Sequence, residues 1–334
     1  MTIVKDIVPK DLVFGELATF KGMGIIPLCI DQCPEIPALE TLEEALSHGT
    51  IEITETSETG EVPHLLAKNR GERHVLLLDG EHITGGKQSR VLNSTVIVLS
   101  KTTVRIPVSC VESGRWSYSQ KNFKSSETIL RSKSRAVMQE GITSNVRHSG
   151  TFQSDQSAVW RTVDDTLREC GVRSETSAFD TAREHVSPGI EQYVAAFHPT
   201  ERQIGGIYFG ASGIPLGVEF LADTRLYAAS HDKILRSFAF DVVSAPNVNG
   251  APVDGATAFW RRLVECEFSS HRSVGTGDDI RVDQNGFIAA GLIWSGVMIH
   301  FSGFPNHSAN HANEGQGRRS SSKQRRRNLR STIA

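Results

Sequence analysis

Cysteine is scarce in this chain of 334 residues: Cys29, Cys33, Cys110, Cys170 and Cys266 are the whole set, and they are scattered. No CxxC pair, zinc ladder or disulfide framework can be built from them, which points to a reducing, cytoplasmic setting. Several catalytic signatures are missing too. There is no HExxH, no GxGxxG and no GxSxG. The stretch from Gly80 to Lys87 fails as a phosphate loop, because it holds one residue too many before the lysine and Gln88 stands where Ser or Thr is required. Long apolar runs are nearly absent. The exception, "FIAAGLIWSGVMIHFSGF" at 287–304, is 18 residues without a formal charge, close to the length of a membrane span. Ser295 and Gly296 interrupt its middle, and Asn285 and Gly286 stand just before it. Such pairs tolerate positive φ, so two buried strands joined by a tight turn are expected there, and no membrane contact. The opening "MTIVKDIVPKDLVFGE" lacks the apolar core of a signal peptide.

The net charge of -2 conceals an asymmetry. Residues 314–334 carry seven Lys/Arg against one Glu, which leaves 29 basic and 37 acidic side chains before them, a net of -8. An acidic body argues against general nucleic-acid binding. From 305 to 334 the text has no apolar periodicity and reads as a disordered basic tail, with a nucleic-acid contact or nuclear signal as the alternative use of its arginines.

Residues 1–304 read as one domain of the α+β class, with strand-rich, mostly antiparallel N- and C-terminal parts and a helical middle. Thr41 and Glu44 make a capping-box pattern ahead of a short helix reaching about His48. "TIEITET", "PHLLAKN", "HVLLLDGE", "RVLNSTVIVL" and "TVRIPVSCVE" read as successive strands, so 20–116 forms a meander. The Ser- and Lys-rich 117–134 reads as a linker or mobile loop. Within 135–304 the period changes: Val159, Val163, Leu167 and Cys170 mark one stripe of a helix ended by Gly171. Helical pieces are also expected near 177–185 and 190–197, and in "HDKILRSFAFDVV" and "GATAFWRRLVEC", with strands at "IGGIYFG", "IPLGVEFLA" and 278–304.

The chemistry concentrates in "LLLDGEHITGGKQSRVLN", residues 76–93. If "HVLLLDGE" is one strand, Val75, Leu77, Asp79 and Glu81 share a face and two carboxylates follow buried apolar residues toward a glycine-rich turn. Lys87 and Arg90 lie across that turn. In "IPVSCVESGRW" the same alternation puts Glu112 behind Ile106, Val108 and Cys110, with Arg115 and Trp116 after a glycine. A guanidinium suits phosphate or carboxylate and an indole offers a stacking surface, while the amides of Gln88 and Asn93 suit sugar hydroxyls. The set fits a ribose- or phosphate-bearing compound such as a nucleotide. Hard oxygens at Asp79, Glu81 and Glu112 would also suit a divalent metal. Cys110 lacks the basic surroundings of a nucleophilic thiol. His300 reads as a hydrogen-bonded strand residue.

These motifs, together with "RIPVSCVESGRW", "DQSAVW", "IGGIYFG", "LRSFAFD" and "AGLIWSGVMIHFSGF", resemble the ARG and Rhodanese-Phosphatase-superfamily-associated Protein domain family over about residues 20–304. The chain departs from the family pattern at His82, where an acid is usual, at Gly86, usually Ala, and at Ser89, usually Asn. Asp79, Glu81, Lys87, Gln88 and Arg90 match it. The resemblance implies a role around ADP-ribose or related nucleotide processing, through association with ADP-ribosylglycohydrolases and a rhodanese-phosphatase group. The expectation is therefore a hydrolase-type enzyme, or a relative of one, with Asp79, Glu81 and Glu112 as acid/base groups or metal ligands. Lys87, Arg90 and Arg115 would hold phosphate, Gln88 and Asn93 would read hydroxyls and Trp116 would stack. The alternatives are a non-catalytic module that senses the ligand or recruits a partner enzyme, and a structural interaction protein.

Overall fold

The computed structural model describes residues 2–210, 213, 215–244 and 254–306. The expected basic tail lies outside them beyond Asn306. Three assemblies of strands organise the rest. Antiparallel pairing builds a nine-stranded sheet in the order Val13–Phe14, Met23–Cys29, Gln203–Phe209, Pro215–Leu221, Val297–Pro305, Phe287–Trp294, Asp278–Gln284 and Ser269–Arg272, with Ala18–Phe20 also on Met23–Cys29. A strand from the start of the chain is thus set beside strands from its second half.

The 287–304 run folds as the two strands expected. Asn285 and Gly286 (φ 56° and 79°) and Ser295 and Gly296 (φ 52° and 78°) have the paired positive φ of a tight hairpin turn that follows the twist of its strands. Among the described residues no helix is long and apolar enough to cross a membrane.

The second assembly is a closed barrel of Thr103–Cys110, His64–Asn69, Ile51–Glu55, Gln120–Ile129, Glu81–Gly86 and Arg90–Leu92. Ile53, Leu65, Ala67, Ile83, Leu92, Ile106, Val108 and Phe123 fill it. The third is a small sheet of Val96–Val98, His74–Leu77 and Leu39–Thr41, whose last pair is parallel. Thr41 caps the helix Leu42–Ser47 as its sequence pattern predicts: its hydroxyl accepts from Glu44 N (3.3 Å) and Glu44 Oε2 from Thr41 N (2.8 Å).

Two expectations are corrected. Residues 117–134 are not a linker: Gln120–Ile129 closes the barrel, and the helix Ser132–Ser149 begins in the same stretch. Ser and Lys are common there because much of the strand faces solvent while Phe123 and Ile129 turn inward. The helical pieces near 177–185 and 190–197 are one helix, Phe179–Val194, which runs through Pro188. Gln156–Glu169 carries the expected stripe, with Val159, Val163 and Leu167 buried and Gly171 left-handed after its end. These helices and Thr224–Val243 share one apolar core with a face of the nine-stranded sheet and the outside of the barrel. Helix Asp254–Val264 covers the sheet's other face through Phe259 and Leu263.

Candidate functional site

The 76–93 stretch does not continue as one strand. His74–Leu77 ends, Leu78–Gly80 turns, and Glu81–Gly86 starts a strand of the barrel. Gly80 makes the turn: its φ is +79°, and an added Cβ would lie 2.9 Å from Arg135 Nε. Its N–H donates to Leu92 O (2.7 Å) and its carbonyl accepts from Leu130 N (2.8 Å). The turn destroys the predicted common face, and Asp79 and Glu81 enter separate networks.

Asp79 is sealed in the core. Its carboxylate accepts from Gln139 Nε2 (2.8 Å), Arg135 Nη2 (3.2 Å) and Ser302 Oγ (3.2 Å). Arg135 also donates to Glu219 at 2.6 Å and 3.1 Å. Glu219 lies 3.0 Å from His300 Nε2, and His300 Nδ1 lies 2.7 Å from Thr95 Oγ1. His300 is therefore the satisfied strand residue expected. Arg281, paired to Asp279 at 2.8 Å, donates to the same Gln139. Burial alone would raise the Asp79 carboxyl, but Arg135, His300 and Arg281 outweigh it and hold it below its ordinary range.

Glu81 accepts from Leu78 N (2.9 Å) and pairs with Lys233, which also reaches Glu43 Oε2 at 2.7 Å. Burial, opposed by Lys233 and reinforced by the Glu43 charge, pushes the Glu81 carboxyl up to about 7. Burial pulls Lys233 down, but the two carboxylates raise it further and keep it charged.

Glu112 is engaged in a third place. Arg115 clamps it through Nε (3.0 Å) and Nη2 (2.7 Å), and it also accepts from Ser89 N (3.0 Å) and Thr176 Oγ1 (3.1 Å). These bonds lower its carboxyl against the effect of burial. The three acids therefore do not converge as a metal set, and among the described residues no group of three His, Cys, Asp or Glu side chains could hold a metal ion. Asn93 is removed as well: it donates to Phe152 O (2.8 Å) and accepts from Ser109 Oγ (2.6 Å).

What does converge is the cationic and aromatic half of the predicted set. Arg90 alternates with Leu92, so it points toward the barrel interior, as does Cys110 beyond Ile106 and Val108. Glu55, two residues beyond the interior Ile53, stands at the same end. Arg90 is wholly buried and donates to Gln88 Oε1 (3.1 Å), yet its Nε and Nη2 have no partner. Its guanidinium carbon lies 5.7 Å from the Trp116 ring, and Lys87 Nζ lies 5.5 Å from that ring and 5.2 Å from Tyr118. Lys87 Nζ also donates to Thr59 O (2.7 Å). Arg115 donates to Gly86 O (3.1 Å). Glu55 Oε1 accepts from Lys87 N (2.9 Å), while its Oε2 is buried without a partner.

Burial lowers the Arg90 guanidinium, with the Arg115 charge adding to the effect while Cys110, Glu55 and Glu112 oppose it. Burial pushes the Cys110 thiol up to about 11, so it is no nucleophile at neutral pH. Lys87, Gln88, Arg90, Arg115 and Trp116 thus share one end of the barrel. Arg90 and Glu55 there keep unanswered hydrogen-bonding capacity, and Trp116 is 46% exposed above them.

Sequence reasoning missed Glu55, Arg135, Gln139, Lys233 and Glu219. Arg131, Arg135 and Gln139 recur every four residues and would have marked one helical face had 117–134 not been read as a linker. Glu55 ends the alternation of "TIEITET" on the apolar side, which was a legible signal.

The family model described as ARG and Rhodanese-Phosphatase-superfamily-associated Protein domain matches residues 11–304. No curated protein and no solved structure matches the chain.

Proposed function

The chain belongs to the ARG and Rhodanese-Phosphatase-superfamily-associated Protein domain family, and from that premise we propose that it binds a phosphorylated nucleotide derivative, of the ADP-ribose kind, at the end of the barrel. One observation carries this reading: Arg90 is a buried guanidinium with two nitrogens unpartnered, under an exposed indole. A buried cation in that state is costly unless an anion completes it. A phosphate bound to Nε and Nη2 would do so in the bidentate manner that guanidinium favours, with Lys87 as a second charge. Trp116 and Tyr118 would stack a base, and Glu55 Oε2 would accept from a sugar hydroxyl.

Of the alternatives, the ligand-sensing module is favoured over the hydrolase at this position. Asp79 and Glu81, the expected acid/base pair, are held by Arg135 in the core and by Lys233, and neither hydrogen-bonds to a residue of the barrel-end cluster. Thermal-shift measurements with ADP-ribose, NAD and nucleoside mono- and diphosphates test the proposal. A ligand present at a hundredfold excess over its Kd adds about 2.7 kcal/mol of stability. Stabilisation that depends on the phosphate, without mass change in the ligand, is expected; the absence of a shift with every one of these compounds would overturn the reading.

A further inference from the structure

We propose that Ser126, His82 and Asp180 form a hydrolytic relay on the outer face of the barrel, with Ser126 as the nucleophile toward a small carboxylic ester. The relay does not depend on ligand binding at the barrel end. Ile83 points into the barrel, so its neighbour His82 points out, toward helix Phe179–Val194. His82 is wholly buried. Its Nδ1 lies 2.9 Å from Ser126 Oγ, and its Nε2 faces Asp180 Oδ2 at 3.5 Å with no hydrogen-bond partner.

Each member is held from a different element. Helix Phe179–Val194 starts where Phe179 N donates to Val111 O (2.9 Å), which sets Asp180 in its first turn. Arg183 donates to Asp180 Oδ1 (3.1 Å) and Ser89 Oγ to Oδ2 (3.0 Å), fixing the carboxylate against the imidazole. The Phe179 ring meets the His82 ring edge-on at 5.6 Å. Ser126 comes from a bulge: between Ser125 and Ile129 the strand takes four steps while its partner takes two, from Ile83 to Glu81. Glu127, next to Ser126, has φ +56°, a left-handed conformation that is uncommon outside glycine and gathers at functional sites. Ser126 Oγ also lies 2.8 Å from His82 O and 2.7 Å from Thr128 Oγ1, so its O–H has a choice of acceptors at rest.

Ser126 borders a cavity of about 160 Å³ walled by Phe179, Ile190 and Phe240, with Arg183 and Arg236 at its edge. The apolar walls and small volume select a short acyl group. Glu127 and Glu191 also line the cavity, and Arg236 is paired to Glu191 (2.8 Å) and Arg183 to Asp180 (3.1 Å). A developing oxyanion would therefore be met by the guanidinium N–H groups those pairs leave over. With the imidazole proton on Nε2 toward Asp180, Nδ1 accepts from Ser126. Ser126 Oγ then bonds to the ester carbonyl carbon as its proton passes to Nδ1. The carbon–oxygen bond to the leaving group breaks, and that proton departs with the alcohol. Water adds to the acyl-serine by the same route, giving the carboxylic acid and restoring the hydroxyl. Burial holds His82 below its ordinary value, with Arg183 adding to it and Asp180 and Glu112 opposing, so the imidazole is neutral near pH 7.

The test uses the full chain and a fluorophosphonate probe, with the adduct mapped by mass spectrometry. Labelling at Ser126 is expected, with a rate that is already level at neutral pH, where His82 is neutral, and that falls in acid as the imidazole takes up a proton. Ser126→Ala should abolish both the adduct and the hydrolysis of p-nitrophenyl acetate, and Asp180→Asn should slow labelling by about 10²-fold or more. Should Asp180→Asn fail to fold, the wild-type pH profile decides. No adduct at Ser126, or a labelling rate that climbs tenfold per pH unit without a plateau, overturns the proposal.

Discussion

Arg90 and Trp116 meet at 5.7 Å, a side chain shut off from solvent beneath one that is half exposed. Because Arg90 holds a single hydrogen bond, its charge contributes little to the fold. Arg90→Met should leave the unliganded protein as stable as before or more so by about 1–4 kcal/mol, as when buried ions give way to apolar groups of similar size. The same variant should lose the thermal shift produced by ADP-ribose. Urea unfolding and thermal shift on one preparation check both halves; a strongly destabilised variant would assign Arg90 to the fold.

Trp116→Ala should weaken nucleotide binding by about 1–3 kcal/mol, the usual worth of one stacked base on an aromatic ring. The exposed indole contributes little to folding, so the melting temperature should barely move. Isothermal titration calorimetry reads the affinity, and an unchanged Kd would place the base elsewhere.

Arg135→Met removes the cation between Asp79 and Glu219 and leaves two buried carboxylates facing each other. Breaking a buried pair on one side costs about 3–5 kcal/mol. The midpoint of urea denaturation should fall accordingly, while nucleotide affinity of the folded fraction stays unchanged. If Asp79→Asn instead abolished binding at full stability, Asp79 would belong to the site after all.

The pH dependence has two opposed parts. His82 and His231 are depressed below 6.5, chiefly by burial, so the stability tied to their neutral forms is complete above that value and is lost as pH falls through their folded values. The Glu81 carboxyl is raised to about 7, chiefly by burial, so its contribution is complete below 4.5 and is lost as pH rises through 7. Glu81→Gln should therefore gain on the wild type as pH rises from about 5 to about 8. Chemical denaturation of the two proteins across that range measures it, and a constant difference would contradict the assignment.

Local signals in the chain reported local structure well. The Thr41 and Glu44 pair capped its helix, the glycine pairs at 286 and 296 made their turns, and "TIEITET" alternated as read. What failed was continuity. Nothing local distinguishes a strand that runs on through Asp79 from one that turns at Gly80, and that turn decides which partner each acid meets. The partners came from residues far along the chain: Arg135 for Asp79, Lys233 for Glu81. Lys87, Arg90, Arg115 and Trp116 stand near one another because they belong to strands and loops that close the same barrel. The polar strand Gln120–Ile129 reads as a linker because only three of its ten side chains are buried and its bulge interrupts the two-residue period.

That strand has a practical consequence. It completes the barrel at Ile129, and three residues later helix Ser132–Ser149 begins, carrying Arg135 into the ion pair with Glu219 of the large sheet. Met23–Cys29, from the other end of the chain, is already woven beside Gln203–Phe209. A truncation between the barrel and the large sheet should not yield two self-sufficient halves, since it would part the buried Arg135–Glu219 pair. A protease able to nick the 120–132 segment should release no durable fragment, and the whole 11–304 span should melt in one step.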